Sequence, residues 1–363
     1  MKKVIFISNF LSFHQSDLWD DFCKNDVDFT FLATEENVVT EKRIDKRPYV
    51  KFSYLFSDDS LANFLRFADV IIIGDCCDRR IFRMLPDDKV YFLASEHIFR
   101  NYLNPRNVLA SIRRMGKIKR CFRYKNTYCL AYSSFIGKEF NFFGIARNKV
   151  YKFGYFPETN QQEDCLIGKD PYSILVAGRL LRLKRNFFAI KALQFLQKTD
   201  RRFHLTVVGD GKDKKHLVNL VRRCGLDDQV AFLPPIPHEQ LIELMKRTQI
   251  FIFASNHQEG WGAVVNEAMS CGCVVFASRK AGSTNYLVED SINGYAFSSL
   301  ADFKKKISIY SNSDVEKIGK IQQAAFATIN NYWNYRCASD RLYDFVVSGS
   351  QSLYFPSGPL SKG

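Results

Sequence analysis

Short apolar runs alternate with longer segments of helical spacing along most of the chain. In the first half, the predicted strands are Val4–Ile7, Phe29–Leu32, Val70–Gly74, Val90–Leu93, Tyr128–Ala131 and Val150–Phe153. In the second half, they are Ser173–Ala177, Leu205–Val208, Val230–Phe232, Ile250–Phe253, Val274–Ala277 and Tyr295–Phe297. Strands that alternate with helices indicate parallel sheets covered by helices. We therefore predict an α/β protein of two Rossmann-like, doubly wound domains.

A polar stretch from Pro157 to Asp170 separates the two series of strands. The predicted division is a first domain at 1–156, a linker at 157–170, a second domain at 171–330, a helix at 331–348 that packs back toward the first domain, and a small, polar, poorly ordered tail at 349–363. Ligands of doubly wound sheets bind at the carboxyl ends of the strands. We therefore expect the two domains to face each other across a cleft that holds the active site.

The composition is that of a globular protein with two full cores: 363 residues, 46% hydrophobic and 25% charged. No apolar run is long enough to span a bilayer, and the first residues lack the pattern of a signal peptide, so we expect a cytoplasmic protein. The ten cysteines are scattered, and Cys271 and Cys273 are too close for a usual zinc knuckle. We predict neither disulfides nor structural zinc.

A formal net charge of +14 indicates an acidic partner. Basic residues are concentrated in the segment Arg106–Lys125, namely Arg106, Arg113, Arg114, Lys117, Lys119, Arg120 and Arg123. Apolar residues lie among them at near-helical spacing: Val108, Leu109, Ile112, Met115 and Ile118. This pattern is typical of a basic amphipathic helix on anionic lipid. It is equally that of a solvated helix whose apolar stripe faces the core, and both interpretations stay open.

Two carboxylates, Glu259 and Glu267, bracket a glycine-containing turn between the strand ending near Ala254 and a helical pattern. Gly260 and Gly262 let the backbone turn tightly and approach a ligand, and the first amides of the helix have no partner within it. Those amides favour an anion such as phosphate, and Glu267 lies close enough to reach neutral hydroxyl groups. The combination suggests a nucleotide sugar.

A second candidate segment follows the strand Ser173–Ala177. Arg179 and Lys184 flank the next strand-to-helix loop, where a guanidinium and an ammonium suit phosphate oxygens. Such a loop is often merely solvated, but its place at the carboxyl end of a strand favours a ligand role. Another glycine turn, Val208–Gly211, is weak evidence by itself.

Together these segments resemble the retaining glycosyltransferases of family 4, which have the GT-B fold. The resemblance covers nearly all of residues 170–300 and includes Phe232–Pro235, Ala268–Gly272 and Asp290–Gly294. It implies Arg179 and Lys184 on the donor diphosphate, Glu267 on the ribose hydroxyls and Glu259 on the sugar hydroxyls. It further implies that the nucleotide base lies near Leu233, Pro234 and Pro235. The diphosphate or sugar would meet the backbone of Trp261, Gly262, Ala263 and Val264. Gly209 and Gly260 would belong to the same donor site. Pro234 replaces a common glycine and removes a backbone donor, and Ser283–Tyr286 lacks the acid that relatives often carry.

The first half of the chain resembles the family only loosely, as expected if it binds a variable acceptor. His97 lies near the position of a frequent active-site histidine, which places it beside the donor sugar. Glu96 is a competing candidate, and a helix-start histidine without a special role is the alternative. In the loop Ser8–Ser16, His14 and Gln15 are predicted to contact donor phosphate or acceptor hydroxyls.

Asp26 and Asp28 have the form of a metal-binding acid pair, but they precede a strand on its amino-terminal side, away from the expected cleft. We therefore predict no metal and no cofactor, with a nucleotide-diphosphate sugar as co-substrate. Arg179, Lys184 and the helix dipole would stabilise the leaving diphosphate. The family implies retention of configuration, with the leaving phosphate taking the acceptor's proton.

The predicted function is transfer of a sugar from a UDP or GDP sugar to a hydroxyl of a glycan or lipid-linked glycan, in the biosynthesis of a bacterial surface polysaccharide such as capsule, O-antigen or lipopolysaccharide. One alternative is a GT-B sugar-nucleotide epimerase. The other is a basic protein that binds nucleic acid or an anionic surface. The main prediction includes no nucleic acid, and a peripheral contact of Arg106–Lys125 with an anionic membrane stays open beside the solvated-helix interpretation.

Overall fold

A computed structural model describes residues 1–35, 47–76, 78–99, 105–121, 126–142, 147–348 and 355–362. The chain divides into two compact units. The amino-terminal unit comprises Met1–Glu158 and Asn334–Gly363, and the carboxy-terminal unit comprises Thr159–Trp333. Each unit has its own parallel sheet and its own core.

The amino-terminal unit is built on a seven-stranded parallel sheet in the order β3-β2-β1-β4-β5-β6-β7. Its strands are β1 (Lys2–Ser8), β2 (Val27–Ala33), β3 (Val50–Phe52), β4 (Val70–Ile73), β5 (Val90–Ser95), β6 (Thr127–Ala131) and β7 (Val150–Lys152). The central strands are uniformly apolar because helices cover both faces of a parallel sheet. All four residues of β4 are buried.

The helices of this unit are α1 (Phe13–Phe22), α2 (Asp58–Arg66), α3 (Ile81–Met84), α4 (Pro105–Cys121), α5 (Ile136–Phe142) and α13 (Tyr335–Ser348). The last of these closes the unit, since α13 packs against α1 and its Phe345 ring lies 5.3 Å from Phe92 and 4.7 Å from Tyr151, measured between ring centroids. The helix predicted near 331–348 therefore belongs to the amino-terminal unit.

The carboxy-terminal unit has a six-stranded parallel sheet in the order β10-β9-β8-β11-β12-β13. Its strands are β8 (Asp170–Ala177), β9 (His204–Val208), β10 (Val230–Leu233), β11 (Thr248–Phe253), β12 (Val274–Ser278) and β13 (Tyr295–Phe297). Its helices are α6 (Phe187–Leu196), α7 (Lys214–Cys224), α8 (His238–Arg247), α9 (Val264–Ser270), α10 (Thr284–Leu287), α11 (Leu300–Ser311) and α12 (Val315–Ala327), followed by a π-helical turn at Thr328–Tyr332. The predicted class, two doubly wound α/β units, is confirmed.

Two expectations about local structure are wrong. Residues 355–362 are not a loose tail: the N–H of Leu360 donates to Lys152 O at 2.7 Å, and Leu360 and Ser361 are each 2% exposed. The edge of β7 offers free backbone groups, and this segment pairs with them. The loop expected through Ser16 ends earlier, because α1 begins at Phe13. Residues 349–354 lie outside the described part of the chain.

Lys169 connects two helix ends in the carboxy-terminal unit. Its Nζ donates to the carbonyl oxygens of Lys246 at 2.8 Å, Thr248 at 3.1 Å and Cys271 at 2.7 Å. These carbonyls lie at the ends of α8 and α9, where a cation is favoured by the unpaired oxygens and the helix dipole.

Replacing Lys169 by methionine is expected to lower the free energy of unfolding of this unit by about 3 kcal/mol, since charge-assisted hydrogen bonds are lost and buried carbonyls stay unpaired. Urea unfolding followed by tryptophan fluorescence measures the change. Lys198→Met is the control at an exposed lysine of the same unit, with an expected change within about 0.5 kcal/mol. Equal unfolding curves for the two variants would contradict the assignment.

Candidate functional site

The strand order of the carboxy-terminal sheet changes direction between β8 and β11. The chain runs outward to β9 and β10 on one side of β8, and to β12 and β13 on the other side of β11. The loops that follow such a pair of strands run to opposite faces of the sheet. They leave a crevice at the carboxyl ends of the two strands. The loop after β8 carries Arg179 and Lys184, and the loop after β11 carries Glu259.

Lys184 and Glu259 are in direct contact at this crevice. The Lys184 ammonium forms an ion pair with Glu259 Oε2, and Ser255 Oγ donates to the same oxygen at 2.8 Å. The two side chains are 17% and 16% exposed. The sequence predicted both residues as donor ligands but not as partners of each other. The contact forms a half-buried polar group that offers both a cation and an anion to a ligand.

Backbone and side-chain contacts hold the two loops together. The N–H of Asn256 donates to Leu183 O at 2.8 Å. The Arg185 guanidinium donates to Ala254 O at 2.7 Å through Nε and to Ser278 Oγ at 3.0 Å through Nη2. Arg185 therefore serves the framework that joins the two loops, and Lys184 precedes it in the chain.

The glycine turn before α9 is tightly packed. Gly262 has a φ of +89°, and a Cβ built on it would lie 2.3 Å from Cζ of Phe253, so only glycine fits. The Trp261 side chain is 1% exposed and donates through Nε1 to Asn266 Oδ1 at 2.9 Å. In the described part of the chain, the N–H groups of Trp261, Gly262 and Ala263 have no hydrogen-bond acceptor. They remain available to an anion, while the Trp261 ring belongs to the core.

Glu267 lies in the first turn of α9 and is only 4% exposed. Burial raises the pKa of Glu267 above its ordinary value of 4.5, and the nearby imidazole of His238 acts in the opposite direction. An ionised carboxylate held in such a place carries an energetic cost until a ligand supplies hydrogen bonds. His238, the first residue of α8, was not identified from the sequence, because only the fold brings it near Glu267.

The other predicted donor residues are more dispersed. Arg179 is exposed, and among the described residues its side chain forms no ion pair or hydrogen bond. The N–H of Gly209 donates to Leu233 O at 3.0 Å, and a Cβ at Gly209 would lie 2.1 Å from Gly178 O. The loops after β8, β9 and β10 are therefore adjacent. Leu233 is 36% exposed and Pro234 is exposed beside it.

Of the four predicted residues of the amino-terminal unit, two line a pocket and two do not. Gln15 and Glu96 line one pocket, where Gln15 Nε2 donates to Tyr132 Oη at 2.8 Å and Tyr155 Oη donates to Glu96 Oε1 at 2.6 Å. His14 and His97 are not among the residues that line it. The ring of His14 lies 6.1 Å from that of Tyr155.

His97 is 9% exposed, and its Nδ1 lies 2.6 Å from Glu139 Oε1. Glu139 also accepts from the backbone N–H of Ile98 at 3.0 Å and of Phe99 at 3.1 Å. The carboxylate thus holds the segment after β5 through two backbone hydrogen bonds and lies beside one nitrogen of the imidazole. The sequence missed Glu139, which is 42 residues from His97 and reaches it from α5.

The helix α4 has the predicted amphipathic character, but its apolar residues do not share one environment. Met115 is fully buried, whereas Leu109 and Ile112 are 49% and 48% exposed. Arg106 and Arg113 are exposed, and Arg114 instead forms an ion pair with Asp75. Of the remaining predicted basic positions, Arg123 and Lys125 lie outside the described residues.

Three further observations concern the described residues only. None of the helices described is both long and apolar enough to cross a membrane. Within the same ranges, no three His, Cys, Asp or Glu side chains are grouped as ligands for a metal ion. Eight cysteines are free thiols: Cys23, Cys76, Cys129, Cys165, Cys224, Cys271, Cys273 and Cys337.

The crevice lies within a segment that known proteins share. Residues 157–325 match the family model of glycosyl transferases group 1. The D-inositol 3-phosphate glycosyltransferase of Pseudarthrobacter chlorophenolicus is 33% identical over 121 residues, which cover 32% of this chain and 29% of that protein. The chain thus matches only about 30% of the length of such curated relatives.

Solved structures match nearly the whole chain at low identity. Anabaena Alr3699/HepE in complex with UDP has a TM-score of 0.70 and 16% identity, over 96% of this chain and 100% of that chain. The lipopolysaccharide outer core galactosyltransferase WaaB has a TM-score of 0.62 and 18% identity, over 91% and 98% of the two chains. These likenesses show that the chain shares the fold of these proteins.

Proposed function

We propose that this protein is a glycosyltransferase that takes a sugar from a nucleotide-diphosphate donor. The contact of Lys184 with Glu259 at the β8–β11 switch point carries the proposal, because it places a cation and a hydroxyl-binding carboxylate where doubly wound sheets bind ligands. The match of residues 157–325 to glycosyl transferases group 1 and the UDP complex of a protein with the same fold support it.

In this proposal, the donor diphosphate contacts Lys184, Arg179 and the N–H groups of 261–264. Glu259 holds sugar hydroxyls, and Glu267 accepts from the ribose. Charge on the leaving diphosphate is stabilised by Lys184 and Arg179 without a metal, since preorganised cations act most strongly in a site that excludes water. We further propose retention of configuration, with the acceptor's proton passing to the leaving phosphate.

Titration calorimetry with UDP, GDP and their hexose conjugates tests the donor site directly. We expect one nucleotide series to bind and its sugar conjugate to be consumed in the presence of a glycan acceptor. Binding and transfer should persist in EDTA. Absence of binding by every nucleotide would contradict the proposal, and conversion of the donor to a free epimerised sugar without acceptor would indicate an epimerase.

His97 is proposed to lie beside the donor sugar, with Glu139 as the residue that positions its ring. His97→Ala is then expected to lower kcat about 10²-fold while the donor Kd is unchanged, because the lost interaction belongs to the transition state. Glu139→Gln should lower kcat about tenfold with little change in KM, since the imidazole loses the carboxylate that orients it.

Thermal unfolding and the variant Glu139→Asp separate this role from a purely structural one. Glu139→Asp keeps the charge and should recover part of kcat. A kcat that follows only the fraction of folded protein in all three variants would contradict the positioning role.

The acceptor is proposed to be a glycan, free or lipid-linked, of a bacterial surface polysaccharide. The shared fold with the lipopolysaccharide galactosyltransferase WaaB supports this class. A lipid-linked acceptor would make a membrane-surface contact useful, and we propose that α4 provides it through the exposed Leu109 and Ile112 beside Arg106 and Arg113.

Co-sedimentation with phosphatidylglycerol vesicles measures this contact. The double variant Leu109→Ser, Ile112→Ser is expected to bind at least about tenfold more weakly, because two apolar side chains no longer enter the interface. Leu55→Ser, at a residue 71% exposed in the same unit, is the control. Equal sedimentation of all three proteins would show that α4 does not contact lipid.

A further inference from the structure

A carboxylate lies beside the cation that the proposed function assigns to the donor diphosphate. Glu259 Oε2 forms the ion pair with the Lys184 ammonium and also accepts from Ser255 Oγ at 2.8 Å. Within the described residues, the other oxygen of this carboxylate, Oε1, has no hydrogen-bond donor. Two hydrogen bonds that share one nitrogen place their acceptors within about 6 Å of each other. A phosphate oxygen bound to Lys184 therefore lies close to the charge of Glu259.

Backbone hydrogen bonds hold the loops that carry this ion pair. The N–H of Asn256 donates to Leu183 O at 2.8 Å, and the N–H of Glu259 donates to Asn256 O at 3.0 Å. Arg185 adds a second positive charge to the same region, where its Nη2 donates to Ser255 O at 3.3 Å. The two loops therefore keep the carboxylate and the ammonium close together, and Glu259 supplies the negative charge of the contact.

The two nucleotides of a sugar transfer differ in the charge that they bring to this contact. In a nucleotide-diphosphate sugar, the β-phosphate is esterified and carries one negative charge. In transfer, the bond from the anomeric carbon to the β-phosphate oxygen breaks, its electron pair stays on that oxygen, and the acceptor oxygen forms the new bond. The acceptor's proton passes to the phosphate and is mostly released to water above about pH 6, where a terminal phosphate ionises a second time. The product nucleotide therefore carries nearly one more negative charge and has no sugar hydroxyls.

Glu259 acts on the two nucleotides in opposite directions. The sugar of the donor brings hydroxyl groups, which can donate to the carboxylate and offset its repulsion of the phosphate. The free nucleoside diphosphate brings no such group, and its additional charge meets the carboxylate in a mostly buried contact, where like charges are poorly screened. Lys184 attracts the phosphates of both nucleotides, whereas Glu259 favours the donor alone.

We propose that Glu259 makes the site selective for the intact nucleotide sugar and weakens binding of the nucleoside diphosphate that transfer leaves behind. The inference rests on the proposed function, and it gives Glu259 a second role beyond contact with sugar hydroxyls. The carboxylate that holds the sugar then also promotes release of the product. This selectivity is measurable without an acceptor, because it concerns the ratio of two dissociation constants.

Titration calorimetry on the full chain at about pH 7.5, where the terminal phosphate is mostly doubly ionised, measures this ratio. The probes are UDP with UDP-glucose, UDP-galactose and UDP-N-acetylglucosamine, and GDP with GDP-mannose. Glu259→Gln keeps the size of the side chain and removes its charge. We expect this variant to bind the nucleoside diphosphate at least about tenfold more tightly than the unaltered chain, and its sugar conjugate about tenfold more weakly. A carboxylate that acted only as a sugar ligand would leave the Kd of the nucleoside diphosphate unchanged.

Three further variants separate the charge of Glu259 from a structural role. Glu259→Asp keeps the charge and should leave the Kd of the nucleoside diphosphate within about threefold of that of the unaltered chain. Glu259→Ser is a second neutral variant and should tighten binding of the nucleoside diphosphate as Glu259→Gln does. Glu316→Gln is the matched control and should change neither constant, since Glu316 also pairs with a lysine, Lys320, but at an exposed position of the same unit. Circular dichroism verifies that each variant is folded.

The outcomes separate this inference from the proposed function. If the unaltered chain binds a nucleoside diphosphate and its sugar conjugate, but neither neutral variant binds the nucleoside diphosphate more tightly, the inference is wrong and the donor site stands. Loss of folding in both neutral variants, with Glu259→Asp folded, would also overturn it, because the ion pair would then be a structural contact. If no nucleotide binds the unaltered chain or any variant, the proposed function fails and the inference fails with it.

Discussion

Lys184→Ala is expected to lower kcat for sugar transfer by about 10²-fold to 10³-fold, while the chain remains folded. The ammonium is the cation that the fold holds at the switch point, and loss of one preorganised group that stabilises leaving-group charge costs a factor of this size. Without Lys184, the Glu259 carboxylate keeps the hydrogen bond from Ser255 and gains contact with water where the ammonium was, so we expect little loss of stability. Steady-state kinetics with the donor identified by calorimetry measure the effect.

Arg182→Ala is the matched control, because Arg182 is an exposed cation on the same 3-10 turn as Lys184. Its kcat should change less than about twofold, as expected when a solvated charge is screened. A double-mutant cycle with Glu259→Gln then measures whether the pair acts as a unit, in which case the two losses do not add. Wild-type turnover in Lys184→Ala would refute the proposed diphosphate contact.

Glu267→Gln is expected to stabilise the unliganded protein and to weaken donor binding at the same time. Burial raises the pKa of Glu267, so its ionised form costs folding energy at neutral pH that the neutral amide does not. In the wild-type protein, the ribose hydroxyls would offset that cost by donating hydrogen bonds to the carboxylate. Glu267→Gln loses these charge-assisted hydrogen bonds, so its donor Kd should be about tenfold to 10²-fold higher.

The sign of the pH dependence follows from the raised pKa. The unfolded carboxyl ionises near 4.5 and the folded one at a higher pH, so the wild-type protein loses stability as the pH rises through that interval. The Tm advantage of Glu267→Gln should therefore be full at neutral pH and vanish below about pH 4. Glu289→Gln, at an exposed glutamate of the same unit, should show no advantage. A lower Tm with an unchanged donor Kd would contradict this role.

The apolar pattern predicted twelve of the strands because each is a short apolar run, and most of these runs are largely buried, such as Val70–Ile73 and Ile250–Phe253. The strand β3, Val50–Phe52, was missed, since an edge strand of three partly exposed residues has no such signal. The packing of residues 355–362 was missed for a related reason. Their pairing is with the distant β7 and leaves no periodicity in the local sequence.

The roles of the predicted donor residues stay predictions, but the structure shows which of these residues are neighbours. Lys184 and Glu259 are in contact, whereas Arg179 extends into solvent. The spacing of glycines and charged residues identified these loops in the sequence, because a strand-to-helix turn requires particular residue types at neighbouring positions. Nothing local connects His97 with Glu139, or Gln15 with Tyr132, since residues 42 and 117 positions apart meet only when the sheet forms.

The sequence by itself determined the class of fold, the two series of parallel strands and the glycine turn between Glu259 and Glu267, since these depend on the burial and backbone conformation of neighbouring residues. The tertiary structure decided the rest. It joined Lys184 to Glu259, took the Trp261 ring and the Arg185 guanidinium into the framework, and placed Gln15 and Glu96 in one pocket with the paired Asp75 and Arg114. A site's charge is the sum over groups that the chain order keeps far apart, and only the order of strands in each sheet brings those groups together.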